Sequence, residues 1–129
     1  MVLLAGVLCG LPRPALGNLF VADAGPFNME GHGTIGEYTE SGATVNASLI
    51  TGLSFPASVA VSDGFIYVTN SHDGTIGKYT TSGVPINPTL ISGLNVPVDI
   101  EVSGGDLYVA EVGAGRVGKY TTSGATINA

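Results

Sequence analysis

Cysteine is almost absent from this chain: Cys9 stands alone, near the start, in a chain of 129 residues. No disulfide framework can be built within one copy, so stability must come from packing. Basic residues are nearly as scarce, four in all against ten acids, with a net charge of −6. Arg13 lies in the first segment, which leaves Lys78, Arg116 and Lys119, too few for the basic footprint that a phosphate backbone requires. Nucleic acid is therefore excluded as an expected partner. No apolar run approaches the ~20 residues of a membrane-spanning helix, since the longest, residues 2–11, is half that length. Nor is there a G-x-S-x-G elbow, a Ser, His and Asp spacing of a nucleophile triad, or a phosphate loop; Gly74-Thr75-Ile76-Gly77 leads into a strand rather than a helix. Charged residues make up only 11 % of the chain and apolar ones 44 %, which supplies a core and argues against disorder.

Glycine is what the chain has in quantity, 20 residues beside 7 prolines and many Val, Ile, Thr and Tyr, a composition of short strands and turns. The glycines are periodic. Residues 33–42 (GTIGEYTESG), 74–83 (GTIGKYTTSG) and 115–124 (GRVGKYTTSG) are three copies of one segment, with Tyr38, Tyr79 and Tyr120 each 41 positions apart. A fixed period of this size marks an array of identical supersecondary units. Within the second unit, residues 57–62 and 65–70 read as two strands joined by Asp63-Gly64, a strong hairpin signal. Residues 75–81 form the third strand, and residues 84–91 form a fourth in which Pro85 and Pro88 require an edge position. Four antiparallel strands every 41 residues predict an all-β fold, a partial β-propeller of about three blades near residues 18–50, 57–91 and 98–129. The apolar runs at 65–68 and 107–110 predict middle strands buried on both faces.

The first unit departs from the others. Residues 1–17, apolar and then Pro-Arg-Pro with Ala15 and Gly17 at signal-peptidase spacing, read as a secretory signal peptide cut after Gly17, although no basic residue precedes the apolar run. The competing reading is an apolar first strand that packs on the repeats. With a leader removed, the first unit lacks its inner strand. Its loop between second and third strands is also six residues longer, because Leu19 to Ile35 spans 16 positions where Ile66 to Ile76 spans 10. A ring closes with ~4 to 8 blades, so about three are expected to belong to a longer reading frame or to complete the ring by self-association.

From Pro97 through the Leu107-Tyr108-Val109-Ala110-Glu111 strand to residues 115–124, the chain resembles the NHL-repeat type of propeller, and the likeness extends over nearly everything from Asn18 onward. The Ser-Gly-Ala-Thr-Ile-Asn ending is similar to repeats of secreted bacterial six- or seven-bladed propellers. The resemblance implies an exported or periplasmic protein. Relatives include streptogramin lyases, gluconolactonase-like hydrolases and peptide-amidating lyases, with metal-assisted chemistry at the central channel, beside pure binding modules. The basic upper surface of RNA-binding animal NHL modules is missing here.

Two constellations could carry function. On the loop face, the insertion brings Phe27, Met29, Glu30 and His32, and the second unit adds His72 and Asp73. Glu30, His32, His72 and Asp73 are the candidate ligand-binding residues for an unidentified protein, glycan or small ligand; the plainer reading is solvated turns. Asp99 and Glu101, two apart on the inner strand of the third unit, point the same way and could contribute to a Ca²⁺ or Mg²⁺ site, or else form a solvated pair lining the channel. Their counterparts in the second unit are Ser58 and Ala60, so the repeat does not demand them. Asp23, Asn70 and Glu111 recur at the end of the second strand, which predicts a capping task in the following turn. No cofactor is expected under the leading reading, a non-catalytic binding scaffold; the alternative is part of a metal-assisted lyase or lactone hydrolase.

Overall fold

The computed structural model describes residues 2–4, 17–26 and 29–129. Phe27 and most of the expected leader lie outside the described residues. Twelve strands form three four-stranded antiparallel sheets in simple up-and-down order. The first holds β1 (Val2–Leu4), β2 (Leu19–Asp23), β3 (Gly33–Tyr38) and β4 (Thr44–Leu53). The second holds β5 (Pro56–Ser62), β6 (Phe65–Asn70), β7 (Thr75–Thr80) and β8 (Pro85–Ile91), and the third β9 (Pro97–Ser103), β10 (Asp106–Glu111), β11 (Arg116–Thr121) and β12 (Thr126–Asn128). The inner strands β1, β5 and β9 neighbour one another along one side of the stack. These are successive blades.

Local chemistry accounts for the hairpins. Asp63 and Gly64 both take positive φ, 52° and 79°, the turn that matches the twist of the flanking strands, and Gly104-Gly105 repeat it at 60° and 81°. At the outer turn the Thr80 hydroxyl engages two neighbours: Oγ1 accepts the Val84 N–H at 3.0 Å and lies 2.9 Å from Ser82 Oγ. Thr39 and Thr121 make the same contacts with Ala43 and Ala125, so the Thr-x-Ser-Gly signature is a repeated side-chain lock on the turn. Pro85 and Pro88 fall on β8, the sheet edge, where no partner needs their missing N–H.

Two apolar layers bind the blades. Phe20, Ile35, Ile50 and Leu53 of the first blade meet Val59, Ile66, Val68 and Tyr79 of the second. Ala60, Tyr67, Ile76 and Ile91 of the second meet Ile100, Leu107, Val109 and Tyr120 of the third. Strand alternation sends Ile66 and Val68 to one layer and Tyr67 to the other. The middle strand β6 is buried on both faces as expected, but β10 is not: Tyr108 is 36 % exposed where its counterpart Tyr67 is 2 %. The difference lies in the neighbours, because β6 is sandwiched and β10 has a blade on one side only.

In the full chain the first unit has an inner strand, as in the competing reading of residues 1–17. The backbone of β1 pairs antiparallel with β2, Val2 opposite Val21 and Leu4 opposite Leu19, in the position that β5 and β9 hold in their blades. A three-residue apolar strand carries no periodicity, so within an apolar run it reads as leader.

Candidate functional site

The β2–β3, β6–β7 and β10–β11 loops and the β4–β5 and β8–β9 connections lie at one end of the sheets. Backbone hydrogen bonds tie them together: the Ser71 N–H donates to the Phe55 carbonyl at 3.0 Å, and the Val112 N–H to the Val96 carbonyl at 3.2 Å. Ser71 also reaches forward, its Oγ donating to the Pro97 carbonyl at 2.7 Å. The β6–β7 loop is thereby pinned to the connections on both sides.

Three of the four loop candidates come together here. His72 Nε2 lies 3.0 Å from Glu30 Oε1, across the boundary between first and second blades, and His72 Nδ1 lies 3.6 Å from Asp73 Oδ1. All three side chains are at least half exposed, so these contacts orient them more than they stabilise the fold. His32 is exposed at the foot of the insertion, where its carbonyl approaches Gly25, and is not brought into this cluster. The insertion is what carries Glu30 to the next blade.

Sequence reasoning did not single out Phe55 and Val96. Both take φ of 52°, a left-handed conformation that favours Gly or Asn and is a clear outlier for a β-branched residue. Each precedes a buried proline, Pro56 or Pro97, which itself disfavours the right-handed helical region. With Ser71 and His72 they line an open, largely apolar cleft of about 380 Å³, and the rings of Phe55 and His72 stand 5.9 Å apart. The available signal was the 41-residue spacing of two bulky residues, each just before a proline.

Asp99 and Glu101 sit on the inner strand β9, as expected, but not as a pair lining a channel. By alternation they belong to the face of the third blade turned away from the second, where they border a shallow depression with Tyr108, Ala110 and Val117. Their counterparts Ser58 and Ala60 are buried between blades. Asp99 Oδ1 accepts the Ser58 hydroxyl at 2.8 Å and its neighbour Ile100 N–H at 3.0 Å, which makes it an interblade clasp. Asp99 Oδ1 is engaged by two donors, and among the described residues no group of three or more His, Cys, Asp or Glu gathers here, so the pair by itself supplies fewer than the 6–8 oxygens that Ca²⁺ takes.

The recurring residues Asp23, Asn70 and Glu111 turn out to serve three different tasks. Asp23 Oδ1 accepts the Gly25 N–H at 2.9 Å, the turn cap expected of it. Asn70 Nδ2 donates to Thr75 Oγ1 at 3.2 Å. Glu111 is buried and accepts from Arg116 Nε at 2.9 Å and from the Asn95 N–H of the preceding connection at 2.8 Å. Burial pushes its carboxyl pKa up, but the Arg116 hydrogen bond and charge, the Asn95 amide and the Tyr120 hydroxyl together outweigh burial and hold it below the ordinary value. In register, Glu111 is directly opposite Arg116 on the β10–β11 hairpin.

Three face-packed, four-stranded antiparallel blades with their loops gathered at one end define a partial β-propeller with a 41-residue repeat. No family model matches the chain, and no curated protein matches it in sequence. Among solved structures it is similar to regucalcin, described as a calcium-binding protein, from Agrobacterium tumefaciens, with a TM-score of 0.70 and 20 % identity over 86 % of this chain. The chain spans 40 % of the length of that structure. At this identity the likeness is one of fold.

Proposed function

We propose that these blades are the binding scaffold of an exported, bacterial NHL-type propeller that engages a protein, glycan or small ligand through its loop end and performs no catalysis of its own. One observation carries this reading: a six-residue insertion outside the repeat places Glu30 against His72 of the next blade, building a composite surface that the framework does not require. Amide chemical-shift mapping during ligand screening tests it, with perturbations expected at Glu30, Ser71, His72 and Val96. Responses confined to the sheet faces would refute it.

Under the same proposal the chain is exported with cleavage after Gly17. N-terminal sequencing of secreted protein would then begin at Asn18, whereas a secreted chain that retains Val2–Leu4 would overturn that part. Self-association belongs to the proposal too. Tyr108 and Val117 on the open face of the third blade correspond to Tyr67 and Ile76, which are 2 % and 0 % exposed under the next blade.

A second reading, part of a metal-assisted lyase or lactone hydrolase, draws on the fold likeness to a protein described as calcium-binding. Thermal stabilisation by Ca²⁺ or Mg²⁺ that is lost in Asp99→Ala would favour it, and no stabilisation by either ion together with no loss in Asp99→Ala would discard it. No response to either ion supports the scaffold.

A further inference from the structure

The cleft between Phe55 and Val96 is unusual for what its backbone tolerates. Left-handed φ at a non-glycine residue is strained, and an apolar side chain left exposed does not offset that strain by burial. Yet both positions carry apolar residues, Val96 42 % exposed and Phe55 half-buried, where Gly or Asn would satisfy the backbone. Their carbonyls are held by framework hydrogen bonds that any residue could make. The side chains themselves are therefore free to serve the cleft.

His72 completes it and is particular to the second blade. The equivalent position in the third blade is Gly113, where an added Cβ would collide with the side chain and backbone of Asn95. Beside His72 itself, the charged groups around the apolar floor are acidic. Glu30 and Asp73 flank His72 with side chains 65 % and 52 % exposed. The basic residues among those described are engaged elsewhere: Lys78 donates to the Thr122 carbonyl and stands 4.2 Å over the Phe65 ring, Arg116 pairs with Glu111, and Lys119 pairs with Asp106.

We propose that this cleft binds an apolar cation, an amine or guanidinium carried on an aromatic or branched aliphatic body, with the body against Phe55 and Val96 and the charge toward Glu30 and Asp73. The assignment rests on the loop-end binding reading and narrows its ligand class. Such a ligand gains on both parts, its body by apolar contact with Phe55 and Val96 and its charge by attraction to the carboxylates.

The test is an amide shift titration of the ¹⁵N-labelled full chain with phenethylamine, 2-phenylethanol and phenylacetate. Phenethylamine is expected to move Ser71, His72 and Val96 saturably and to bind about tenfold more tightly than the neutral alcohol. Phenylacetate should bind more weakly than either. Phe55→Gly removes the apolar wall at a position whose backbone suits Gly, so the variant should keep its thermal midpoint and lose about tenfold in affinity. Glu30→Gln should keep the alcohol's affinity and erase most of the preference for the amine. Equal binding of all three probes at the cleft would overturn the cationic assignment while leaving loop-end binding intact. Shifts elsewhere on the loop end, or no loop-end response to any of the three probes, would overturn the cleft assignment, whereas loop-end binding stands or falls on the wider ligand screen.

Discussion

Gly77→Ala is the substitution that most directly tests why the Gly-x-Tyr segment recurs. Two residues apart on a strand, the glycine and tyrosine share a face, and the ring lies back over the glycine. A Cβ built on Gly77 would come 2.7 Å from Tyr79 Cε2, 2.9 Å from its hydroxyl oxygen and 3.1 Å from the Pro88 carbonyl. Gly118 is equally crowded, with Tyr120 Cε2 at 2.6 Å, and so is Gly36, with Tyr38 Cε2 at 2.7 Å. None of the three has positive φ, so alanine is compatible with the backbone. The three sites differ in what lies behind the ring. Tyr79 and Tyr120 are 6 % and 2 % exposed between blades and have nowhere to go, whereas Tyr38 is half-buried on an open face and can swing away.

Overpacking of a tight core costs ~1–3 kcal/mol, and replacing Gly by Ala returns ~0.4–1 kcal/mol through the unfolded chain. Gly77→Ala and Gly118→Ala should therefore destabilise by about 1–2 kcal/mol, and Gly36→Ala by about zero. In thermal denaturation followed by far-ultraviolet circular dichroism, the first two should melt ~3–8 °C lower and the third within about 2 °C of the parent. Equal losses at all three sites would refute the argument, since they would place the cost in the backbone rather than in a trapped ring.

Other predictions rest on single contacts. Arg116→Ala should lower the urea midpoint at neutral pH, because it strips the buried Glu111 carboxylate of its main partner. The pH dependence follows from the lowered Glu111 pKa: its contribution is complete above the unfolded carboxyl value of ~4.3 and fades as pH falls through the lower folded value. In Arg116→Ala burial then dominates and raises that pKa, so acid unfolding should begin at higher pH than in the parent. Ser58→Ala removes the hydroxyl shared by Asp99 and the Ile100 N–H and should cost ~0.5–1.5 kcal/mol in the same assay. Sedimentation velocity should show concentration-dependent self-association that Val117→Lys, a charge placed on the open face, weakens; a monomer at every concentration would refute that interface.

Much of the framework was legible because it is periodic. Spacing alone located β6 and placed Pro85 and Pro88 on an edge, since turn glycines and strand apolar residues act locally. The hidden parts depend on register or on neighbours. Glu111 and Arg116 are five apart in sequence, and only the hairpin register makes them opposite. Alternation correctly aligned Asp99 with Glu101, but not which face of β9 they share, because that depends on where the second blade lies. The convergence of Glu30 on His72 required knowing how far the insertion reaches.

Departures from the repeat therefore have to be judged by what surrounds them. Glu111 departs from Asn70 at the same position, and its partners, Arg116 and the Asn95 amide, are both internal; the change is absorbed by the fold. Asp99 departs from Ser58, and the two side chains bond to each other across the blade boundary, so this change is absorbed as well. His72 departs from Gly113, and its contacts, Glu30, Asp73 and the Phe55 ring, are exposed or half-buried groups at the loop end. No packing layer gains from it. Of the three departures, only the one at His72 has all these contacts at the loop end and none that ties blade to blade through the core, and that supports placing function at the loop end.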